Sequence, residues 1–313
     1  MKLFDKKSLV RIKESNLFLR YIWLEMLRLR SRRERKLFSD CECINRLYFK
    51  YSGRYPNLDN PVLFSEKMQW LKLHYRNGLM PIVGDKYEVR KYLKDRGFGY
   101  LLNQLIAVYD TIDAFSPSNL PEKFVLKATH ASGWNFIVKD KKKVKWWIRK
   151  KHMNYWLHND IEWNGREWHY GEMKPRIICE KYLEDESGGL MDYKFFCFNG
   201  EPRFLQVNID RGLSTSTQNY YDLEWRLLPF GKSHPHNPNK IIPKPRRLDK
   251  MIELAKDLSA PFPFVRVDLY QSGGCIYFGE FTFFPCSGMP DFIPSDYDRI
   301  VGEMLDLPEA NKY

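Results

Sequence analysis

FPFVRVDLYQSGGCIYFGEFTFFPCSGM, residues 262–289, reads as two strands joined at Gly273-Gly274. Arg266, Asp268, Glu280 and Thr282 sit on these strands among aromatic and β-branched residues. An Asp on one strand and a Glu on its hairpin partner can hold a hard cation between them. Arg266 lies two residues from Asp268, so it faces the same way. Direct pairing of residues 268 and 280 requires an odd number of loop residues. A two-residue Gly273-Gly274 turn alone would put the two carboxylates on opposite faces. The expected hairpin therefore has a three-residue loop with a left-handed Gly and a bulge, or a five-residue loop.

Upstream, Leu248 to Leu258 is a helix with Met251, Leu254, Ala255 and Leu258 on one side. Asp192 to Phe198 and Pro202 to Val207 are two strands, joined by the hairpin signal Asn199-Gly200. Lys194 shares a face with Phe196 and Phe198, and a charge on an apolar face wants a partner. Phe124 to Ala128 is a strand carrying Lys127. A small-residue loop, Thr129 to Asn135, leads to a second strand at Phe136 to Val138. Such a loop can offer backbone N–H groups to phosphate oxygens, with Lys127 as the neutralising cation, or it can be a plain hairpin. Arg176 to Cys179 runs as a strand into Glu180-Lys181-Tyr182-Leu183, and Leu105 to Tyr109 is a shorter one. Phe64 to Leu73 has helical spacing, with Ser65 or Asn60 as its cap. Gly84 to Leu93 is a second helix, with Asp85 as N-cap. Lys86 then falls in its first turn, where a cation opposes the helix dipole.

The 313 residues are 43% hydrophobic and 16% aromatic, which excludes a disordered chain and leaves room for two or three domains. The net charge is +12, but residues 1–36 hold +8 of it, through twelve Lys and Arg against four Asp and Glu. The other 277 residues carry only +4, which argues against a nucleic-acid-binding face. Residues 1–36 read as a helix with an apolar run and a basic tail. It is an interfacial anchor on anionic lipid or a helix packed on the body, with a basic arm on RNA or DNA as the lesser reading. No apolar run is long enough to span a membrane, and no secretory signal is present. The six cysteines lack zinc spacing and read as free thiols, which suits a reducing cytoplasm. Lys139 to Lys151 is a basic run, read as a solvated face. Six tryptophans between Trp134 and Trp168 form either the core of a small domain or an aromatic wall for a sugar. Asp296-Tyr297-Asp298 is a DxD, read as capping and first-turn charge of a last short helix.

The order of these signals resembles the ATP-grasp enzymes, and more narrowly the TupA-like ATP-grasp family. The resemblance rests on FSEKMQWLKLHYR (64–76), GDKYEVRKYL (84–93), LPEKFVLKATHASG (120–133), KPRIICEKYLEDE (174–186), DYKFFCFNGEPRF (192–204) and residues 262–288. It covers about residues 38–307. It implies an α+β chain with the ATP-grasp fold: an N-terminal α/β domain (37–115), a small lid (116–183) and a C-terminal antiparallel-sheet domain that binds Mg2+ (184–313), all after the basic helix 1–36.

Roles follow from the same resemblance. Lys86 and Lys127 match lysines that contact ATP phosphates. The loop with Ser132 and Gly133 matches the one that closes over them. Glu180, Lys181, Tyr182 and Leu183 match the adenine hinge. Asp192 matches the acidic position near the ribose, and Lys194 a catalytic cation near the acyl phosphate. Asp268 and Glu280 match the Mg2+ ligands. Arg266 is placed to stabilise charge during acyl transfer. Thr282 is the third metal-site residue; it stands where many ATP-grasp enzymes have Asn and acts on the metal through water or positions Glu280, which leaves the number of metal ions open. The implied activity is an ATP- and Mg2+-dependent carboxylate–amine ligase of cell-surface polysaccharide (capsule or exopolysaccharide) biosynthesis. Its substrates are a uronic acid carboxylate in a saccharide and an amino acid amine. The expected place is the cytoplasm, at the inner face of the bacterial membrane if residues 1–36 are an anchor. A polysaccharide glycosyltransferase and a non-catalytic nucleotide-binding scaffold at the membrane are the alternatives.

Overall fold

The computed structural model describes residues 17–184, 190–209, 217–232 and 235–310. Residues 1–16 of the basic segment, most of the loop Glu184 to Gly189 and His234 lie outside them. The helices are α1 (Leu17–Leu37), α2 (Asp40–Ser52), α3 (Phe64–His74), α4 (Leu79–Gly84), α5 (Glu88–Asp95), α6 (Trp146–Leu157), α7 (Leu248–Ser259) and α8 (Tyr297–Gly302). The strands are β1 (Leu105–Tyr109), β2 (Phe124–Ala128), β3 (Asn135–Val138), β4 (Ile177–Lys181) and β5 (Asp192–Phe198). They continue with β6 (Glu201–Ile209), β7 (Thr217–Asp222), β8 (Phe264–Ser272) and β9 (Cys275–Thr282). Two compact units result, one from the residues up to Ile44 with Leu105–Tyr182, the other from Asn45–Gln104 with Leu183 onward.

The first unit is an antiparallel sheet, β1-β4-β2-β3, with α6 on it. Its core answers the tryptophan question in favour of packing for two of the six. Trp134 and Trp156 are buried and stack at 6.3 Å and 14°. Half-buried Trp146 stacks on Phe124 at 6.1 Å. Trp147 is exposed. The basic run is largely solvated, with Lys142, Lys143, Lys145 and Lys151 exposed, while Arg149 lies 3.7 Å over the Phe136 ring. Helix α1 packs against the turn Glu162–Asn164 and is tied by Arg28 to Asn159 at 2.5 Å. No described helix is long and apolar enough to cross a membrane. All six cysteines are free, and burial pushes the Cys179 thiol up to about 12.

The second unit is built on a five-stranded antiparallel sheet, β7-β6-β5-β8-β9. Strand β5 is central and buried throughout; one face is Tyr193, Phe195 and Cys197, and the other carries Asp192 and Lys194 beside Phe196 and Phe198. On one face Phe195, Cys197, Leu205 and Val267 meet α7, whose Met251, Leu254, Ala255 and Leu258 form one buried stripe. On the other face Phe198 and Phe264 pack at 5.1 Å, and Phe64 of α3 closes on both. Asn199 and Gly200 both have positive φ (50° and 80°), the conformation a tight two-residue hairpin needs.

Helix α3 starts without the expected Ser65 or Asn60 cap. The Glu66 carboxylate instead collects the N–H groups of Leu63, Val62 and Asn57 at 3.2–3.3 Å. Ser65 is drawn away by Asp298, which accepts from its N–H at 2.8 Å and its hydroxyl at 2.5 Å. The helix expected from Gly84 is also split. Asp85 accepts from the N–H groups of Tyr87 (2.7 Å) and Glu88 (3.0 Å), which makes a turn, and α5 begins only at Glu88. Lys86 therefore stands in the α4–α5 turn and not on the helix.

Candidate active site

The pleat of β8 puts Arg266 and Asp268 on one face, and antiparallel pairing extends that face to both neighbours. Asp268 pairs with Lys194 of β5 and with Glu280 of β9, and Arg266 pairs with Thr282. Arg266 grips Asp268 with both prongs, Nε to Oδ1 at 2.7 Å and a terminal nitrogen to Oδ2 at 2.8 Å. The same nitrogen donates to Thr282 Oγ1 at 2.9 Å and stands 3.8 Å from Glu280. Lys194 contacts Asp268 directly and lies 2.7 Å from Asp192. Lys86 reaches Glu280 at 3.4 Å. Three cations thus meet three carboxylates on one sheet face. Asp268 is wholly buried, while the Glu280 side chain is 27% exposed. Burial works against the Arg266 charge, but Asp268 outweighs it and holds the guanidinium above its ordinary value. Burial also lifts the Asp268 carboxyl upward, against the pull of Arg266 and Lys194.

The hairpin reaches this register by a route the sequence reading did not foresee. Its turn has two residues: Ser272 pairs with Cys275, and Gly273 and Gly274 both have positive φ. The expected three- or five-residue loop is absent. The parity is corrected inside the strand, by a bulge between the pairs 268–280 and 269–278. Gly279 is the extra residue. A Cβ there would lie 2.8 Å from the Tyr270 ring and 3.0 Å from the Asp268 carbonyl oxygen. The bulge keeps Asp268 and Glu280 side by side.

Among the described residues, no group of three His, Cys, Asp or Glu could hold a metal. A hard cation that keeps water and phosphate oxygens in its shell needs only two carboxylates, and Asp268 and Glu280 provide them. A carboxylate has about four lone-pair sites. Asp268 uses three, two for Arg266 and one for Lys194.

The remaining sequence candidates lie in the first unit, except Leu183. Lys127 pairs with Ile178, and Val125 pairs with Glu180, so Lys127 and Glu180 are diagonal neighbours on one face. Their ion pair measures 2.8 Å. The loop after β2 is anchored at its base, by Thr129 N–H to Arg176 and by the His130 ring near the Trp156 and Asn159 carbonyls. Ser132 and Gly133 form its exposed tip, with Gly133 at φ 73°. Glu180 is buried, Lys181 exposed, and Tyr182 half-buried beneath the Lys123 ammonium. Leu183 is half-buried and begins the second unit's later segment.

Asp298 of the DxD is buried and bound to Ser65, so the motif is structural here. Burial lifts its carboxyl above the ordinary value, against the Ser65 hydrogen bonds. A carboxyl so lifted binds its proton more readily in the folded chain than in the unfolded one. Its contribution to stability is full below the ordinary Asp value and is lost as pH rises through the lifted one. Asp298→Asn should therefore melt higher, relative to wild type, at about pH 7 than at about pH 4. A melting difference that does not change with pH would contradict this.

No curated protein matches the chain in sequence. Among solved structures it is similar to a D-alanine–D-alanine ligase of Bacillus anthracis complexed with ATP. That pair has 16% identity and a TM-score of 0.40, covering 64% of this chain and 55% of that one. It is also similar to a phosphoribosylamine–glycine ligase of Thermotoga maritima, with 15% identity, TM-score 0.41 and coverage of 65% and 48%. A D-alanine–D-alanine ligase of Helicobacter pylori has 14% identity, TM-score 0.40 and coverage of 77% and 69%. The chain thus spans about half the length of the first two ligases. The TupA-like ATPgrasp description matches residues 66–306, which include Lys86, Lys127 and the whole cluster around Asp268. With that match across most of its length, the chain belongs to the TupA-like ATPgrasp family and has the ATP-grasp fold.

Proposed function

We propose that this chain is an ATP-dependent ligase that joins a carboxylate to an amine through an acyl phosphate. The observation that carries the reading is the pairing of Asp268 with Glu280 on a face that also presents Arg266, Lys194 and Lys86. Two carboxylates suit a divalent cation, and the three cations suit phosphate and carboxylate oxygens. In this reading Lys86 and Lys127 neutralise ATP phosphates. Ser132 and Gly133 cover them, and Glu180 to Leu183 hold the adenine. Asp192 lies near the ribose. Asp268 and Glu280 hold Mg2+, with Thr282 positioning Arg266 through its hydroxyl. Mg2+ at these carboxylates would supply charge neutralisation at the phosphates. The substrate carboxylate takes the γ-phosphoryl group of ATP and ADP leaves. The amine then attacks the acyl carbon and phosphate departs. Arg266 and Lys194 are placed to stabilise the oxygen charge of both steps.

The substrate reading is a uronic acid carboxylate and an amino acid amine, in cell-surface polysaccharide biosynthesis. The chain would work in the cytoplasm, at an anionic membrane surface through α1. Support for the membrane contact is the exposed stripe Ile22, Met26 and Leu29 beside exposed Arg30, Arg33 and Lys36. Cosedimentation with anionic vesicles, absent with neutral ones, tests it. The activity test is ADP release. Release that needs both a uronate and an amino acid is expected. Release of a nucleoside diphosphate from a sugar nucleotide, without ATP, would sink the ligase.

A further inference from the structure

The polar row of the second sheet does not stop at Lys194. Cross-strand pairs carry it on through Gln206 of β6 to Tyr220 of β7, so Glu280, Asp268, Lys194, Gln206 and Tyr220 form one line across five strands. The next pair on the same face is Asn208 with Gln218. In the other direction the face turns apolar, with Phe196, Phe204 and Phe264. Tyr220 stands at the border: its ring packs 4.9 Å from Phe230 and its hydroxyl reaches the amides. The apolar half makes core. The polar half is costly to bury unless its groups are bonded, and Gln206 and Tyr220 are almost wholly buried.

Their bonds have a direction. Gln206 Nε2 donates to Asn208 Oδ1 at 2.8 Å. The Tyr220 hydroxyl lies 3.2 Å from Gln206 Oε1 and 3.3 Å from Gln218 Oε1. Asn208 is thus held by its oxygen, and Gln218 shares the single Tyr220 hydroxyl hydrogen with Gln206. Among the described residues, no protein atom accepts from Asn208 Nδ2 or Gln218 Nε2, and both side chains are half-buried. Up to four N–H donors are thus available to a ligand. Asn208 follows Val207, which pairs with Tyr193, so Asn208 takes the place beside Asp192.

We propose that Asn208 and Gln218, held in place by Gln206 and Tyr220, form the subsite for the hydroxyl-bearing ring of a sugar acid whose carboxylate lies at Lys194 and Arg266. The inference rests on the ligase reading and adds to it where the substrate body sits. The four side chains mark a patch about 5 by 7 Å, from the strand spacing and the two-residue repeat. That is a two-dimensional array of neutral hydrogen-bonding groups. It suits hydroxyls spread around a ring. A peptide presents its donors and acceptors along a line and pairs with a strand edge instead. Gln206 and Tyr220 are positioning residues, and Asn208 and Gln218 make the contacts.

The test is calorimetric titration of the full chain with glucuronate and galacturonate, alongside a non-hydrolysable ATP analogue with Mg2+. Asn208→Leu and Gln218→Met keep side-chain size and add no charge. Each should weaken sugar-acid binding about tenfold, the scale of a lost buried hydrogen bond. Affinity for the ATP analogue and the melting temperature should stay near wild type. Tyr220→Phe, which removes the hydroxyl beside both Gln206 Oε1 and Gln218 Oε1 and takes no contact from the ligand, should weaken sugar-acid binding less and leave ATP-analogue affinity unchanged. Unchanged sugar-acid affinity in both outer-amide variants overturns the subsite. So does a wild-type chain that binds glycylglycine but no sugar acid, or neither. If sugar-acid binding is lost in the variants but the wild type never binds the ATP analogue, the subsite stands and the ligase reading falls.

Discussion

Glu280→Ala should cut ADP release by about 10²–10³-fold while the chain stays folded. The side chain is 27% exposed, and its partners include Lys86 at 3.4 Å and the Arg266 guanidinium at 3.8 Å. Neither contact is a close hydrogen bond, so little stability rests on these two. The loss falls on the site. Removing Glu280 leaves Asp268 as the one carboxylate of the pair, and Asp268 already accepts from Arg266 and Lys194. Glu280→Gln keeps the shape and removes the charge, and should fall nearly as far. A coupled ADP assay with a melting curve reads both quantities. Activity near wild type in Glu280→Ala would remove the metal assignment.

Gly279→Ala should cost both stability and activity. The added Cβ meets the Tyr270 ring at 2.8 Å and the Asp268 carbonyl oxygen at 3.0 Å. Overpacking of this kind costs about 1–3 kcal/mol. The ring can swing aside, but the carbonyl belongs to the strand that carries the site. If the chain escapes by losing the bulge, the register slips one residue and Glu280 turns to the α7 face. Calorimetry should show a lower melting temperature, and ADP release should fall with it. Gly273→Asn is the control. That position has φ 55° with open space around it, and Asn tolerates this conformation better than most residues. It should stay close to wild type. Full activity in Gly279→Ala would show that the bulge does not set the position of Glu280.

Much of the second sheet is legible in the chain. The strand DYKFFCF, the Asn199-Gly200 turn and the stripe of α7 each follow from a local period or a local turn preference. The partner that Lys194 requires is also legible as a need, and Asp268 and Asp192 meet it. Strand β7 is different. TQNYYD has no apolar alternation, because Gln218 and Tyr220 serve a polar face, and the sequence reading places no strand there. The missed cap of α3 has a similar cause. Ser65 looks like a cap from its neighbours, yet its bonds go to Asp298, more than two hundred residues away. The Asp85 turn was readable as an N-cap signal, but not the three-residue delay it imposes on α5.

The sequence by itself determined most of the strands and helices around Asp268, the order of charged residues and the family, because these rest on neighbours within a few positions and on motif order. The expected pairing of Asp268 with Glu280 is present, but the tertiary structure alone decided how it is reached, by a bulge inside the strand and not by the loop. A strand's side chains alternate strictly, so a single unpaired residue reverses everything beyond it. That residue is Gly279, and the Tyr270 ring and the Asp268 carbonyl on the facing strand leave no room for a side chain there. The amide patch on β6 and β7 has the same origin. Gln206, Asn208, Gln218 and Tyr220 are unremarkable as letters, and only antiparallel pairing gathers them beside the row of Lys194 and Asp268.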